Sequence, residues 1–259
     1  MTTHMQTTTL NTGAQMPVLA LGTSRLLGQA CADAVRWALE LGYRHVDTAA
    51  MYGNEEAVGN GIRASEVPRE DVFVTTKLVG HDHGRVREAV EESVQRLGLG
   101  YVDCYLVHWP EGPGADLAVW RELEPLHLDG TLRAIGVSNY STAQLAELMA
   151  AADVPPAVNQ VEANPLARPR DVEDACREHG VALQAYRPLA HGDRFGHAEV
   201  QSVARRLDRT EAQVLLRWGL QHGFTVLPRS GSRERIAANF EVFDFELSDA
   251  DMEILDALG

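Results

Sequence analysis

The feature that most restricts how this chain can fold is a repeat of strand-like runs, each finishing on an ionisable side chain. Residues 43–47 read YRHVD, residues 71–77 read DVFVTTK and residues 103–108 read DCYLVH. Their terminal Asp47, Lys77 and His108 stand 30 and 31 residues apart, the length of one strand–helix unit. Helical stripes fill the intervals. Residues 30–41 carry apolar side chains at 31, 34, 35, 38, 39 and 41 and stop at Gly42. Helices over 55–64 and 84–97 follow, the second ending at Gly98. Alternation on this scale predicts parallel strands joined by crossover helices. Three titratable groups at the same point of three successive units predict a (β/α)8 barrel of the TIM type, with those groups converging on one rim.

The rest of the chain keeps the period. Strands are predicted over 132–137, 157–161, 181–186 and 224–227, between helices over 116–129, 141–152, 170–179, 197–206 and 210–222. A final helical stretch, 248–258, opens on the capping pattern from Ser248 to Asp251. With LAL at 19–21 the strands number eight. TTTL and MPVLAL flank the turn NTGAQ and predict a hairpin ahead of the barrel. The expected fold is therefore α/β, a barrel with an N-terminal β-hairpin and C-terminal accessory helices. No linker or low-complexity tract divides the 259 residues.

Charge narrows the partners. A formal net charge of −14 repels nucleic acid and anionic membranes, so a basic cluster inside that background is informative. Cys31, Cys104 and Cys176 are too few and too scattered for a disulfide framework or a CxxC metal pair, which fits a reducing compartment. No apolar run reaches the roughly 20 residues needed to span a bilayer, and MTTHMQTTTL lacks a signal-peptide core. The expectation is a soluble, cytoplasmic, monomeric protein.

Tyr52, five residues after Asp47, falls on the same predicted rim and supplies a fourth group. A nearby ammonium favours the phenolate form of a tyrosine, and a carboxylate holds that ammonium charged and in place. Tyr, Lys and Asp together form a device for moving one proton to or from a substrate oxygen, and His108 can position that oxygen. Singly, each residue has a plainer reading: Asp47 as a cap, Lys77 as a solvated strand end, His108 as a core histidine and Tyr52 as packing. Occurrence of all four at one rim favours chemistry.

Other strand ends are polar too. Strand five ends in Ser138-Asn139 and strand six in Gln160; the amide pair Asn139 and Gln160 can grip a carboxamide, and Tyr186 can stack on a flat ring. Arg229, Arg233 and Arg235 form a basic cluster ahead of a helix, suited to a phosphate. Neither GxGxxG after a strand nor GxxxxGK[ST] is present. His81-Asp82-His83 lacks a third ligand at useful spacing and reads as a solvated loop, so no metal is expected.

The ordered strings MPVLALGT, GYRHVDTAAMYGNE, LGYVDCYLVHWP, IGVSNY, VNQVEANP and LPRSGSRERIAANFEVFDFELS resemble the aldo-keto reductases along nearly the whole chain. Within that family the strings resemble the bacterial branch that includes 2,5-diketo-gluconate reductases. The resemblance implies one barrel domain over 1–259 and a catalytic tetrad of Asp47, Tyr52, Lys77 and His108. It implies reversible hydride transfer between NADPH and an aldehyde or ketone, with Tyr52 as general acid. It assigns Ser138, Asn139 and Gln160 to the nicotinamide amide and Tyr186 to its ring. Arg229, Ser230 and Arg235 fall to the adenosine 2′-phosphate and Asn239 to the adenine, with Arg187 and Leu189 completing the cofactor set.

Departures from the family pattern set further expectations. Arg229 replaces the usual lysine, Ala238 an adenine-contacting glutamate, and Arg187 a serine, where a guanidinium could reach the pyrophosphate or an anionic substrate. Ser24 and Val79 stand where aromatic side chains are common in the substrate pocket. The EGPGAD loop and the residues after the last helix are short. The pocket is expected to be wide, walled by Trp109 and Tyr52, and tolerant of many carbonyl substrates. The alternative reading is an NADPH-binding regulatory protein without catalysis, which a degraded tetrad would signal; here all four members are present. A barrel isomerase or lyase without nicotinamide is disfavoured by the basic cluster and the amide pair.

Overall fold

In the computed structural model, which describes residues 5–82, 84–190 and 196–259, eight parallel strands run in chain order round a curled sheet. They are β3 (Leu21–Gly22), β4 (His45–Asp47), β5 (Phe73–Leu78), β6 (Cys104–Val107), β7 (Ile135–Ser138), β8 (Val158–Glu162), β9 (Ala182–Tyr186) and β10 (Thr225–Val226). Bridges from Leu19 to Val226 and from Gly22 to Arg229 join the first strand to the last and close the barrel. The hairpin precedes it, with β1 (Thr7–Thr9) antiparallel to β2 (Gln15–Pro17).

Helices α1 (Gly28–Leu41), α2 (Glu55–Ala64), α3 (Val86–Leu97), α4 (Pro113–Leu128), α5 (Thr142–Ala151) and α6 (Arg170–His179) each connect successive strands. Two helices, α7 (Ala198–Leu207) and α8 (Glu211–Gln221), lie between β9 and β10, and α9 (Arg233–Phe240) and α10 (Asp249–Asp256) follow. Helix α4 begins at Pro113, so most of the EGPGAD segment expected as loop is helical; Pro at the first position suits a helix start because its missing N–H is not needed there. No helix among the described residues is long and apolar enough to cross a membrane.

Strand alternation sorts the core into two layers. Val46, Val74, Tyr105, Val107, Ile135, Val137, Leu183 and Ala185 face outward and pack against the helices. Phe73, Cys104, Leu106, Ala134 and Val158 face inward and form an apolar floor, sealed from below by Leu10 and Met16 of the hairpin region. Above that floor the inward positions turn polar: His45, Thr75, Gln184, Gln160, Asp47 and Lys77 are all buried. An apolar floor beneath a polar layer leaves the C-terminal rim as the place where buried charge meets solvent.

Candidate active site

Neighbouring strands hold the acid and the base of this rim in register. β4 and β5 pair Asp47 with Thr75, and β5 and β6 pair Lys77 with Leu106, so Lys77 stands two residues above Asp47 on the inward face. The Lys77 ammonium is wholly buried. It donates to Asp47 Oδ1 at 2.8 Å, to Asp47 Oδ2 at 2.9 Å and to the Thr48 carbonyl at 2.7 Å. Tyr52 is also within side-chain hydrogen-bonding reach of it, and the tyrosine ring centroid lies 5.1 Å from Nζ. Burial alone would discharge this lysine, but Asp47 and Tyr52 together outweigh burial and raise its pKa above the ordinary value. The cation therefore persists although it has no exposed surface.

Tyr52 closes a short helical turn, Ala50–Tyr52, immediately after β4. Asn54 anchors that turn: its amide donates to the carbonyls of Thr23 and Leu26 at 2.9 Å each, and its oxygen accepts from the Thr48 hydroxyl at 2.7 Å. His108 follows β6 and meets the Tyr52 ring edge-on at 5.9 Å. Burial, reinforced by the charge of Lys77, pushes its imidazole down to about 4. Its buried Nδ1 has no partner among the described residues. At neutral pH it is an uncharged ring beside a permanent cation, able to donate one N–H to an oxygen without adding charge. The four residues expected at one rim thus meet there.

The amide residues are engaged with protein. Asn139 adopts φ 65, a left-handed conformation that asparagine tolerates. Its Nδ2 donates to the His108 carbonyl and to Ser138 Oγ at 3.0 Å each, and its Oδ1 accepts from the Tyr186 hydroxyl at 2.8 Å. Ser138 Oγ donates to the Gln160 carbonyl at 2.8 Å. Gln160 Nε2 donates to Asp47 Oδ2 and to Gln184 Oε1, both at 2.8 Å. The polar strand ends are one network with the Asp47–Lys77 pair.

A second region opens on the β10 side of the barrel. A cleft of about 750 Å³ is lined by Leu189, Arg229, Ser230, Arg235, Ala238 and Asn239, by Gln201 and Arg205 from α7, and by Arg209 from the turn between α7 and α8. Arg235 Nε donates to Ser230 Oγ at 3.3 Å, tying the loop after β10 to the first turn of α9. The basic cluster differs from the expected one. Arg233 lies inside α9 and turns toward Glu40 of α1 at 3.8 Å, away from the cleft, while Arg205 and Arg209 replace it. Nothing in the local sequence marks those two arginines, because their place depends on how α7 and the turn after it pack back against the rim. Against a net charge of −14 for the whole chain, Arg205, Arg209, Arg229 and Arg235 outnumber the acidic Asp208 and Glu211 around this cleft and leave a local excess of cations.

The aldo/keto reductase family model matches residues 18–259. The chain is 42% identical over 261 residues to the glyoxal reductase of Bacillus subtilis, covering 100% of this chain and 94% of that protein. The chain belongs to the aldo/keto reductase family. Among solved structures, an aldo-keto reductase from a Medee basin deep-sea metagenome superposes with a TM-score of 0.95 at 40% identity, over 97% of this chain and 94% of that one. A Bombyx mori aldo-keto reductase in complex with NADP superposes with a TM-score of 0.90 at 33% identity, over 97% and 92%. Membership makes the protein an oxidoreductase of the carbonyl-reducing kind.

In this family member the mouth beside the tetrad is lightly walled. Trp109 is 52% exposed and stacks 6.5 Å from the His108 ring, while Ser24 and Val79 are half-buried. Two further apolar side chains stand on rim segments, Met51 next to Tyr52 and Leu27 ahead of α1, and sequence patterning passed over both. Arg187, left-handed at φ 49, pairs with Glu162 at 2.9 Å and lies 5.7 Å from the Tyr186 ring. His83 and the side chain of His81 lie outside the described residues; Asp82 ends the short turn Gly80–Asp82.

Proposed function

We propose that this chain is an NADPH-dependent carbonyl reductase in which Tyr52 is the general acid, carried by one barrel domain over residues 1–259. The observation behind the reading is the buried Lys77 ammonium, held between Asp47 and Tyr52. The donor set suits the cofactor: the cleft under Arg229, Ser230 and Arg235 offers cations to a phosphate in an otherwise acidic protein. Asn239 and Leu189 would flank an adenine there, and Tyr186, with Ser138, Asn139 and Gln160 beneath it, would hold a nicotinamide. When bound, the reduced nicotinamide supplies the hydride.

The chain's own groups manage the proton. Neutral His108 donates a hydrogen bond to the substrate oxygen and orients it. Tyr52 transfers its hydroxyl proton to that oxygen as the carbonyl carbon is reduced, leaving a phenolate and an alcohol. Lys77 stabilises the phenolate, Asp47 keeps Lys77 charged, and solvent returns the proton to Tyr52. Because this cation is fixed and dry, its stabilisation of the phenolate is far stronger than in water.

Relatives suggest a substrate class. The Bacillus subtilis relative is named for glyoxal, and the strings noted above resemble reductases of a diketo acid. A mouth with few walls and small residues at Ser24 and Val79 fits small dicarbonyls among a broad set. Arg187 is a candidate contact for the pyrophosphate or an acidic substrate once released from Glu162.

Loss of NADPH absorbance with a test aldehyde measures the reaction. Tyr52→Phe should lower turnover by about 10²–10⁴-fold, with little change in NADPH affinity; an active Tyr52→Phe enzyme would overturn the role of Tyr52. Tryptophan fluorescence should be quenched by NADPH at lower concentration than by NADH. A panel of aldoses, keto acids, dicarbonyls and aromatic aldehydes, run with both cofactors, tests breadth; one sub-micromolar KM among weak substrates would contradict an open pocket.

A further inference from the structure

Gln184 belongs to the network of polar strand ends but has no role in the reaction described above; it is wholly buried in the barrel, one hydrogen bond from Gln160 and two from Asp47. The order of donors along this row is forced from one end. Asp47 takes a hydrogen bond from Lys77 on each carboxylate oxygen and so can only accept. Gln160 must therefore turn its NH2 toward Asp47 Oδ2, at 2.8 Å. With Gln160 so oriented, Gln184 must present its oxygen, which accepts the second N–H at 2.8 Å. The NH2 of Gln184 is then left facing the thioether of Met16, a weak acceptor, at 3.0 Å. Met16 is itself fully buried in the barrel floor, so the row is anchored at both ends.

The consequence lies at Gln160. An amide has two N–H groups, and here both are spent, one on Asp47 and one on Gln184. Only its carbonyl oxygen remains to meet a ligand. Asn139 is in the same position, with both N–H groups donated and its oxygen partly used by Tyr186. We infer that Gln184 is a positioning residue that locks Gln160 with its oxygen outward, so that the site accepts the N–H2 of a nicotinamide carboxamide and offers no side-chain N–H from Gln160 or Asn139 to its oxygen. This rests on the nicotinamide-dependent reading given above. The site so built selects the cofactor through the donor half of its amide.

The 3-acetylpyridine analogue of NADP⁺ keeps the ring carbonyl but replaces the amide nitrogen with a methyl group. An acceptor-only site loses its partner with this analogue and is left with a buried unsatisfied oxygen, so the wild type should bind it about tenfold or more weakly than NADP⁺. Calorimetric titration of both ligands measures this without turnover. Gln184→Met removes the acceptor that holds the second N–H of Gln160; that side chain can then swing, and the preference for NADP⁺ should shrink to about threefold or less. Gln184→Glu retains an oxygen facing Gln160 and should keep the wild-type preference, although both variants disturb the interior. A purely structural role would lower the thermal midpoint in either variant without separating them in ligand preference. The inference fails if Gln184→Met keeps the full preference, or if the wild type itself binds the two ligands within twofold, a result that needs no variant to fold. A wild type that binds neither dinucleotide would overturn the cofactor reading, and this inference with it.

Discussion

Lys77 shows how one side chain ties stability to chemistry. A lysine with no exposed surface would ordinarily lose its proton, yet it has three acceptor contacts on Asp47 and Thr48. Lys77→Met leaves the buried Asp47 carboxylate with Gln160 as its one side-chain donor among the described residues. That should cost about 3–5 kcal/mol in urea unfolding, and Asp47→Asn in the same chain should restore part of it. His45 and His108 respond to acid in the same direction. Burial lowers each imidazole to about 4, against an ordinary 6.5. Between those values the unfolded chain binds protons that the folded chain refuses, so stability falls as pH drops from 6.5 toward 4 and is flat above it. Each group contributes up to about 1.4 kcal/mol per pH unit in that window. Urea midpoints at pH 7, 6 and 5 should show the slope, and His45→Gln, removing a ring held by the Pro17 carbonyl and Thr75 Oγ, should roughly halve it.

Between elements, close backbone approach matters more than helix propensity. A Cβ on Gly59 of α2 would lie 1.9 Å from the Leu97 carbonyl oxygen at the end of α3. Arg63, one turn further along α2, donates to the Leu97 and Gly98 carbonyls at 2.9 and 3.1 Å, so α2 also satisfies the end of α3. Alanine gains about 1 kcal/mol of intrinsic preference over glycine in a helix. At Gly59 the clash with backbone should reverse that and destabilise by about 2 kcal/mol or more. Gly114, in the first turn of α4, has nothing within 4 Å of an added Cβ, and Gly114→Ala should raise stability by about 0.5–1 kcal/mol. Thermal or urea midpoints of the two variants should move in opposite directions.

Across the whole molecule, the Asp256 carboxylate of α10 ties that helix to α8 and to the segment ahead of α6. Asp256 Oδ1 accepts from Trp218 Nε1 at 2.7 Å and meets His222 Nε2 at 2.9 Å, while Oδ2 accepts from Arg168 at 2.7 Å. Burial works against the carboxylate, but the Trp218 bond, with His222 and Arg168, holds it below its usual range. Asp256→Ala should cost about 2–4 kcal/mol in urea unfolding, because Arg168 and the Trp218 N–H lose a partner in a half-buried setting. Unfolding with an unshifted midpoint would show that the clasp contributes little.

Much of this molecule was legible from residues alone. A strand–helix unit is local, so equal spacing was enough to predict that Asp47, Lys77 and His108 end successive strands on one rim, and a loop five residues on was enough to add Tyr52. The parallel order of strands, the hairpin and the polar strand ends followed from periodicity of two and 3.6 residues and from glycine stops. Contacts among side chains from distant segments were not legible. Arg233 sat in the right string but turned to Glu40, whereas Arg205 of α7 and Arg209 of the turn after it reached the cleft through the way α7 and α8 pack. Nor could the string VALQAY show that the Gln184 amide faces Gln160, since that direction is set by the only-accepting carboxylate two hydrogen bonds away. Local order determined where each strand ends and what it carries; only closure of the barrel decided which groups meet, because donors, acceptors and charges from strands over 100 residues apart must satisfy one another where water is excluded.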